Sequence, residues 1–506
     1  MKKINSIIVL IILSINFFIR LIDQSKIIFR FPLDITNDIS AYMSHLFFLK
    51  ECGFLEWCPY WYNGFITFTT IPPGWFFFTY PIYWITNNIL LATWISWILL
   101  FILGFIVIWV MGKVLYFKRL DRVLFFFLFY GNAIMIGNFI RLMRVHELMG
   151  LVLLTWVLII LVHSWERDHI SNWFLHSLVW VIPLIIITHP VTTLLLGIIL
   201  ISLFISINNR IRLIVISFIG VSISLFWLIP YLKNFIQTIG MNIHTTESLL
   251  VFSRDYLPQQ VAVMVVGIGF IILCIFYLIE AFEYRVLFSV SPFLIMAFLL
   301  VTHLTPFIPI LNSIYVDSQL HILIFLSIFI FIKLSGYWNW NSLIRKYGGV
   351  VLVILVVISV VVSNMYTPKF RDYTSTEEDI LGIFPYVNGT YITAMENLPE
   401  TSYVRAYYSY GPIYYNLSTS HGWSLPNKEY QDLLLEQYDA YNKKNCSRYE
   451  KALLRLNTTD IIGYGAGCDF LESCGLNKVR INGKACLYKK SEKEYVEKFE
   501  KKTIGM

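Results

Sequence analysis

The chain has 506 residues, of which 57% are hydrophobic, 17% are aromatic and only 14% are charged. Soluble proteins carry about one quarter charged residues, so this composition excludes an ordinary soluble globular protein and places most of the chain in membrane lipid. The formal net charge of +7 comes from basic residues scattered over short polar segments and a mixed-charge tail. Because these residues form no basic face, we expect no nucleic-acid partner.

Eleven apolar segments are long enough to cross the hydrocarbon core, which takes about 20 mostly apolar residues. The first of them follows Met1-Lys2-Lys3 without a small-residue cleavage site, which predicts a retained signal anchor. After Thr367 the composition becomes polar, so we expect a transmembrane domain over 1–365 and a soluble domain over 366–506. The predicted spans are 4–22, 89–111, 123–140, 147–164, 173–189, 191–207, 213–231, 259–280, 285–303, 318–335 and 347–365.

The charges and cysteines predict on which side of the membrane the soluble domain lies. With a cytoplasmic N-terminus, most lysines and arginines of the membrane domain fall on inner loops, as the positive-inside rule requires. The odd number of spans then puts the C-terminal domain outside, and six of the seven cysteines fall on outer segments, as is typical of an oxidising compartment. We expect a plasma-membrane protein, or alternatively one of the endoplasmic reticulum with a lumenal domain. The glycosylation sequons of the soluble domain agree with this orientation: Asn388, Asn416, Asn445 and Asn457.

The first outer loop, 23–88, is too long for a plain connector and is therefore a candidate for function. Asp34, Asp38 and Tyr42 are spaced four apart, so a helix would place them on one face, and His45 follows. A carboxylate here is suited to act as a general base or to hold a divalent cation, Mg²⁺ or Mn²⁺, through its oxygens. Solvated or helix-capping aspartates show the same spacing, so the residue types leave both interpretations open.

The second half of this loop is rich in aromatic residues, from Trp57 to Tyr62 and again from Trp75. Such a cluster is typical of the aromatic belt at a membrane surface, and it would also serve as a platform for a sugar. Cys52 and Cys58 either close a small loop or remain buried thiols.

Arg141, Arg144 and Glu147 meet where the third predicted span ends and the fourth begins. Arginine is suited to bidentate contact with phosphate, so this turn is a candidate clamp for a lipid-linked phosphate; anchoring to lipid headgroups is the alternative. His189 precedes a proline in another outer turn, where histidine is more often a turn residue than a ligand. We expect Asp38 and the 141–147 turn to face one outward-opening cavity, because a bound phosphate must lie close to the base.

The first outer loop contains, in order, an acidic residue with Tyr or His one turn later, Gly53, a Trp with Pro, and then Asn63-Gly64 and Pro72-Pro73. This order resembles the first outer loop of GT-C-type glycosyltransferases, and most closely that of the 6-pyruvoyl-tetrahydropterin synthase-related membrane protein family. The Arg-to-Glu turn before the fourth span and the His-Pro turn at His189 are similar to the same family.

This resemblance implies a GT-C-like helix bundle and a glycosyltransferase. The enzyme would take a sugar from a polyprenyl-phosphate donor on the outer leaflet and pass it to a lipid-linked glycan or a surface protein. Asp38 would then deprotonate the acceptor or position a metal, with Asp34 in support. The implied substrate-binding residues are Tyr42, His45, Arg141, Arg144, Glu147 and His189.

Other outer segments limit this interpretation. Thr245-Thr246-Glu247 is similar to an acidic motif of oligosaccharyltransferases, but the soluble domain lacks their Trp-Trp-Asp-Tyr-Gly signature, which disfavours transfer of a whole oligosaccharide to asparagine. Asp317 and Gln319 stand where related families tend to place an arginine, which puts phosphate recognition from that side in doubt. A non-enzymatic lipid or glycan transporter and a silent scaffold remain alternatives, although transporters tend to carry ionisable residues deep within their helices and here the charges concentrate at helix ends.

The C-terminal domain alternates short apolar pieces with turns and contains one helical stretch near 427–443, which predicts a small α/β domain. Its four cysteines allow three pairings. Cys468 and Cys474 are close enough in sequence for a local disulfide, which would leave Cys446 and Cys486 to pair.

Overall fold

The structure, a computed structural model, describes residues 3–34, 38–167, 171–238, 249–250, 256–280, 284–308, 311–337, 342–395, 398, 403–423 and 428–490. Within these residues a bundle of membrane helices carries a small α/β domain at its C-terminal end, which confirms the predicted fold class. The helices before the soluble domain are α1 (Lys3–Gln24), α2 (Ile39–Glu51), α3 (Gly74–Thr86), α4 (Ile89–Val114), α5 (Arg119–Tyr130), α6 (Ala133–Met135), α7 (Val145–Glu166), α8 (Asn172–Thr188), α9 (Pro190–Ser206), α10 (Arg210–Thr238), α11 (Leu257–Glu280), α12 (Tyr284–Val301), α13 (Val316–Tyr337) and α14 (Ser342–Tyr366).

Eight helices of the described chain are long and apolar enough to cross a membrane, and the bent pair that begins with α5 makes a ninth. The shorter apolar helices α8 and α9 coincide with the other two predicted spans, so a helix lies at each predicted segment. The chain is therefore an integral, multi-pass membrane protein.

The third predicted span is broken rather than continuous. After α5 the helix axis turns by 55°. The Asn132 side chain then accepts hydrogen bonds from the backbone N–H groups of Ile134 and Met135, as an N-cap does. The chain continues as a π-helical segment, Ile136–Arg141, of a kind that is frequent at functional sites. The cap and the π-helix together set the direction in which the following turn leaves the bundle.

α7 is the central helix, because most of its side chains are buried and it packs against α4, α8 and α9. Its acidic residues lie at its two ends. Near its N-terminus Glu147 accepts a hydrogen bond from Ser318 of α13. Near its C-terminus Glu166 pairs with Lys333, also of α13, with 2.6 Å between Oε2 and Nζ. Polar contacts therefore join α7 and α13 at both ends of the bundle.

The first outer loop contains a small hairpin of two strands, β1 (Trp57–Cys58) and β2 (Phe65–Ile66). The soluble domain is built on a mixed sheet of four strands, β3 (Tyr391–Met395), β4 (Asp460–Tyr464), β5 (Asn477–Asn482) and β6 (Ala485–Lys489), in the order β3-β4-β6-β5. Its first two strands are parallel and the others antiparallel, and β4 is fully buried whereas β5 forms an exposed edge. The helices of the domain are α15 (Ser375–Leu381), α16 (Val404–Tyr415), α17 (Lys428–Asn442), α18 (Cys446–Arg455) and α19 (Ala466–Ser473).

The first outer loop and the soluble domain pack against each other. Trp61 is fully buried, and its indole N–H donates a hydrogen bond to the carbonyl oxygen of Tyr408 at 2.8 Å. The backbone N–H of Thr419 donates to the carbonyl oxygen of Tyr60, also at 2.8 Å. Gly422 makes room for the Trp61 ring, since a Cβ at this position would lie 2.7 Å from it. Trp61 therefore belongs to an interdomain core, a role different from the membrane belt and the sugar platform considered above.

Three disulfides join the six cysteines of the loop and the soluble domain: Cys52–Cys58, Cys446–Cys474 and Cys468–Cys486. The first closes the small loop that the sequence had left open. The predicted pairing of Cys468 with Cys474 is wrong. Cys468 lies on α19 and Cys474 directly follows that helix, and two residues six apart on a helix point in different directions. Each of them instead reaches a different neighbouring element.

Candidate functional site

Asp38 directly precedes α2, at the end of the bundle that carries the soluble domain, and its side chain is 36% exposed. Its carboxylate Oδ2 lies 3.4 Å from Nε of Arg144. Its backbone N–H donates a hydrogen bond to the carbonyl oxygen of Leu142 at 3.1 Å. Two segments that are about a hundred residues apart in sequence therefore meet at one point. The predicted proximity of Asp38 to the 141–147 turn is confirmed.

The charges of this pair affect each other. Burial raises the pKa of Asp38 above its usual value, and the opposite charge of Arg144 offsets part of that rise. Burial lowers the pKa of Arg144, but the carboxylates of Glu147, Asp38 and Asp317 outweigh this effect and keep it above its usual value. Asp38 is therefore more basic than an exposed aspartate, and it faces a permanent cation.

Arg144 is held on several sides besides that of Asp38. Its Nη1 donates a hydrogen bond to Asn138 Oδ1 at 3.2 Å and lies 3.9 Å from Glu147 Oε2. Its guanidinium carbon is 5.2 Å from the centre of the Tyr315 ring, in cation–π contact. In the same turn the backbone of Met143 has a φ of 49°, which is uncommon for a residue other than glycine and typical of functional sites. The guanidinium therefore has a defined position.

Glu147 is itself fixed by α13. Ser318 donates a hydrogen bond to its Oε1, and His321 Nδ1 lies 3.6 Å from the same oxygen. All three side chains are at most 2% exposed. Glu147 is thus too deeply buried to meet a substrate directly, and its contacts support a role in positioning Arg144.

Asp34 and Arg141 form a second ion pair, in which Arg141 Nη2 donates to Asp34 Oδ2 at 3.0 Å. Both side chains are less than a tenth exposed. Asp34 does not belong to α2, which begins at Ile39, so the helical face predicted for Asp34, Asp38 and Tyr42 does not form. Asp34 instead neutralises Arg141, which lies 107 residues further along the chain.

Tyr42 packs beside the site, with its ring centre 4.5 Å from that of His146. Burial raises the pKa of Tyr42, so its hydroxyl stays neutral. His45 is fully buried, its ring packs edge-on against Trp61, and its Nδ1 lies 2.9 Å from the carbonyl oxygen of Ala41. Burial lowers the pKa of His45 to about 4, so its ring is neutral. The position of His45 supports a packing role.

His189 joins α8 to α9, at the end of the bundle that holds the two ion pairs. It lies within electrostatic range of Arg144 and of His146. Its ring is therefore close to the site, but it is not one of the charged groups that hold Arg144 in position.

A cavity of about 330 Å³ opens beside the ion pairs. Arg141 belongs to its lining, but Asp38 and Arg144 are not among the described residues that line it. The lining of this one cavity does not test the predicted cavity common to all three, which stays a prediction, whereas their predicted proximity is confirmed. Arg144 turns toward Asp38, whereas Arg141 lies on the π-helical segment and pairs with Asp34. Other lining residues are Asn138, Gln259, Asp317 and Ser363.

Asp317 also belongs to the site. In the sequence it was notable only because it stands where related families tend to place an arginine. It accepts hydrogen bonds from the side-chain amides of Asn138, at 3.3 Å, and Gln259, at 3.1 Å. Ser318 and Gln259 were not predicted, because a serine or glutamine near a helix end has no distinctive sequence pattern. The predicted motif Thr245-Thr246-Glu247 lies outside the described residues.

The described residues contain no group of three or more His, Cys, Asp or Glu side chains that could hold a metal ion. The carboxylates of Asp34 and Asp38 instead face Arg141 and Arg144, and each arginine takes the position that a cation would occupy. These contacts do not test the predicted Mg²⁺ or Mn²⁺ ion, which stays a prediction.

The sequence matches no protein-family model and no curated protein. The fold is similar to that of the archaeal oligosaccharyltransferase AglB from Archaeoglobus fulgidus, in a complex with an inhibitory peptide and a dolichol-phosphate. The TM-score is 0.56 at 10% identity, and the match covers 89% of this chain and 69% of that one. The apo form of the Archaeoglobus fulgidus oligosaccharyltransferase matches with a TM-score of 0.53 at 11% identity over the same shares.

The arabinofuranosyltransferase AftD from Mycobacteria also has a similar structure, with a TM-score of 0.56 at 12% identity. The match covers 94% of this chain but only 39% of AftD, so the chain spans less than half of that protein. Identities this low establish a common fold and no more. The chain thus has the GT-C-type membrane fold that its first outer loop predicted.

Proposed function

We propose that this chain is a GT-C-type glycosyltransferase that moves a sugar from a polyprenyl-phosphate donor to a lipid-linked glycan or a surface protein. The observation that carries the proposal is the partly exposed Asp38 held against Arg144, at one end of a bundle with this fold. The dolichol-phosphate in the complex of AglB supports a lipid phosphate as the carrier of the donor sugar. The first-loop resemblance supports membership of the 6-pyruvoyl-tetrahydropterin synthase-related membrane protein family.

In the proposed reaction Asp38 accepts the proton of the acceptor hydroxyl or amide. The acceptor atom attacks the anomeric carbon of the donor sugar, and the bond between that carbon and the phosphate oxygen breaks. The lipid phosphate leaves with the electron pair, and its charge needs a nearby cation. Arg141 and Arg144 supply positive charge on the same side of the bundle, and Arg144 also orients Asp38.

The proposed location is the plasma membrane with the soluble domain outside, so that the site faces the outer leaflet. This follows from the positive-inside bias of the loops and from an odd number of spans. The three disulfides outside the membrane helices support an oxidising compartment for this side of the protein.

The substitution Asp38→Asn tests the proposal. It keeps the shape of the side chain and removes the base, so we expect transfer to fall by about 100-fold or more. The measurement is mass spectrometry of lipid-linked and surface glycans in a deletion strain that expresses the variant. The same assay on wild-type and deletion cells identifies the product.

The matched control is Glu166→Gln. Glu166 is also an ion-paired carboxylate on the α7–α13 pair, but at the opposite end of the bundle. We expect this variant to retain transfer at close to the wild-type rate. A folded Asp38→Asn protein that supports the wild-type glycan pattern would refute the enzyme proposal and favour the scaffold or transporter alternative.

A further inference from the structure

The segment that leads from α14 to the soluble domain lies against the part of the first outer loop that carries Asp34. The hydroxyl of Tyr373 donates a hydrogen bond to the carbonyl oxygen of Phe31 at 2.8 Å. The backbone N–H of Tyr403 donates to the carbonyl oxygen of Leu33 at 3.0 Å. The soluble domain thus holds the loop backbone at two positions just before Asp34.

Arg371 belongs to the same segment and makes a bidentate ion pair with Glu377. Its Nη1 and Nη2 donate to the two carboxylate oxygens of Glu377 at 2.7 Å and 2.6 Å. Glu377 is fully buried, and it also accepts a hydrogen bond from the backbone N–H of Thr374 at 2.9 Å, in a capping box at the start of α15. The Arg371 guanidinium therefore has a fixed position.

Asp34 lies next to this ion pair. Asp34, Arg371 and Glu377 line one small cavity of about 10 Å³, which has room for a single water molecule. The hydrogen bonds to Glu377 raise the pKa of Arg371, burial lowers it, and the charge of Asp34 raises it further. Asp34 is therefore within electrostatic range of Arg371, in addition to its ion pair with Arg141.

A row of four charges with alternating sign thus crosses from the soluble domain to the membrane bundle: Glu377, Arg371, Asp34 and Arg141. Arg371 is one-quarter exposed, and the other three side chains are less than a tenth exposed. Salt and water screen buried charges much less than exposed ones, so each charge acts strongly on the next. A change at Arg371 should therefore reach Arg141 through Asp34.

We propose that Arg371 is a positioning residue for the site: from the soluble-domain side it fixes the carboxylate of Asp34, which in turn orients Arg141. The inference rests on the proposed function, in which Arg141 offsets the charge of the donor phosphate. Loss of Arg371 should therefore weaken the use of the donor and leave the use of the acceptor unchanged. The soluble domain is then a support of the site, contributed by a segment more than two hundred residues after Arg141.

A pair of variants tests the role of Arg371. Arg371→Gln alone would leave the buried Glu377 without its cation, which is costly, so Glu377→Gln is made first. Glu377→Gln keeps the capping box, because glutamine also serves at that position, and it keeps the cation beside Asp34. Adding Arg371→Gln removes this cation and leaves neither member of the former ion pair charged.

The measurement is kcat/KM for each substrate, with polyprenyl-phosphate sugars and lipid-linked glycans extracted from the deletion strain as donor and acceptor. We expect Glu377→Gln to retain most of the wild-type transfer. In the double variant kcat/KM for the donor should be about 10- to 100-fold lower than in Glu377→Gln, because a displaced charge at the site is costly for catalysis. The KM for the acceptor should be unchanged.

A purely structural role predicts the opposite order of the two variants. Glu377→Gln leaves a buried arginine beside a neutral partner, whereas the double variant has neutral amides at both positions and should be at least as stable in thermal unfolding. If Arg371 only supported the fold, the double variant would transfer sugar at least as well as Glu377→Gln. That result would refute the proposal, as would equal losses for donor and acceptor.

Arg371→Lys in the Glu377→Gln background keeps the charge but not the planar fork of arginine. We expect its kcat/KM for the donor to lie between those of Glu377→Gln and the double variant. If the double variant does not fold, this lysine variant takes its place, and a kcat/KM equal to that of Glu377→Gln would then refute the proposal.

Thermal unfolding gives a readout that does not depend on transfer. Asp34→Asn is added to Glu377→Gln and to the double variant, and we expect a larger fall in unfolding temperature in Glu377→Gln, where Arg371 also loses a partner. Equal falls would refute the interaction of Arg371 with Asp34, even if the wild type transfers sugar. Unequal falls without any transfer by the wild type would support the interaction and count against the proposed function alone.

Discussion

Arg144 has more charged neighbours than any other residue discussed for the site. It faces Asp38 on one side and the buried Glu147 on the other, and the Tyr315 ring lies against its guanidinium plane. Because the surrounding carboxylates keep it protonated, Arg144 does not act as an acid or a base. Its proposed effect is instead to keep Asp38 ionised and in position.

We expect transfer to fail at low pH, as Asp38 becomes protonated. Burial raises the pKa of Asp38, so the acid limb of kcat/KM should lie above the usual aspartate value of about 3.9. In Arg144→Gln the positive charge that offsets this rise is lost, so the pKa of Asp38 rises further and the acid limb moves to higher pH. The measurement is kcat/KM against pH for the two proteins, with a lipid-linked sugar donor.

Arg30→Gln is the matched control, because Arg30 pairs with Asp372, whose carboxylate is exposed at the protein surface. Its pH profile should overlay that of the wild type. If the acid limb of Arg144→Gln stayed in place or moved to lower pH, Asp38 would not be the base that the profile reports.

Some of these residues could be predicted from the sequence and others could not. Asp38 and Arg144 were both placed at helix ends on one side of the membrane, and the fold brings them together. The Asp34–Arg141 pair was not predicted, because the four-residue spacing assigned Asp34 to the same helical face as Asp38, whereas Asp34 precedes α2.

Among the elements, the contact between the first outer loop and the soluble domain depends on a glycine, Gly422. A Cβ at residue 422 would approach the Trp61 ring to 2.7 Å, and both the indole and the backbone around it are held by hydrogen bonds. The ring therefore has little freedom to move away.

We expect Gly422→Ala to destabilise this contact by about 1–3 kcal/mol, as overpacking of a core does. The measurement is limited proteolysis of the soluble domain together with thermal unfolding of the detergent-solubilised chain. Gly197→Ala in α9 is the control, because nothing lies within 4 Å of a Cβ added there. Equal protease resistance and equal unfolding temperatures for the two variants would show that Trp61 can move aside.

The elements themselves differ in how far the sequence predicts them. The membrane helices follow from apolar length alone, since a span must satisfy its backbone groups internally. The bend after α5 and the π-helical segment were not predicted, because apolar composition continues through both. The disulfide partners were wrongly predicted because they depend on the directions in which the cysteines on and after α19 point. The distance between two cysteines in the sequence does not give those directions.

For the whole molecule, we expect a C-terminal tag to be accessible from outside sealed cells and an N-terminal tag to be protected. The reason is the distribution of lysine and arginine over the loops. Protease treatment of intact cells, followed by detection of both tags, measures this orientation. Lysed cells serve as the control, because both tags should then be digested, and a C-terminal tag that survives in intact cells would reverse the proposed orientation.

Only the broad arrangement of the molecule could be predicted from the sequence. The composition predicted a membrane bundle followed by a soluble domain, and the first-loop resemblance implied the GT-C-type fold. Neither predicted that the loop aromatics form the contact surface of the soluble domain, because the same aromatic composition fits a membrane surface or a sugar. The contact between Trp61 and Tyr408, which lie far apart in the chain, decides between these interpretations.

The interdomain contact at Trp61 also has a consequence for biosynthesis. Its partner Tyr408 lies 347 residues further along the chain, so at about 5–20 residues per second a ribosome needs on the order of 20–70 s to produce it. During that interval the loop has left the ribosome while the surface that buries Trp61 does not yet exist. A nascent chain therefore exposes aromatic surface on the soluble-domain side of the membrane, where chaperones can distinguish unfinished copies from complete ones.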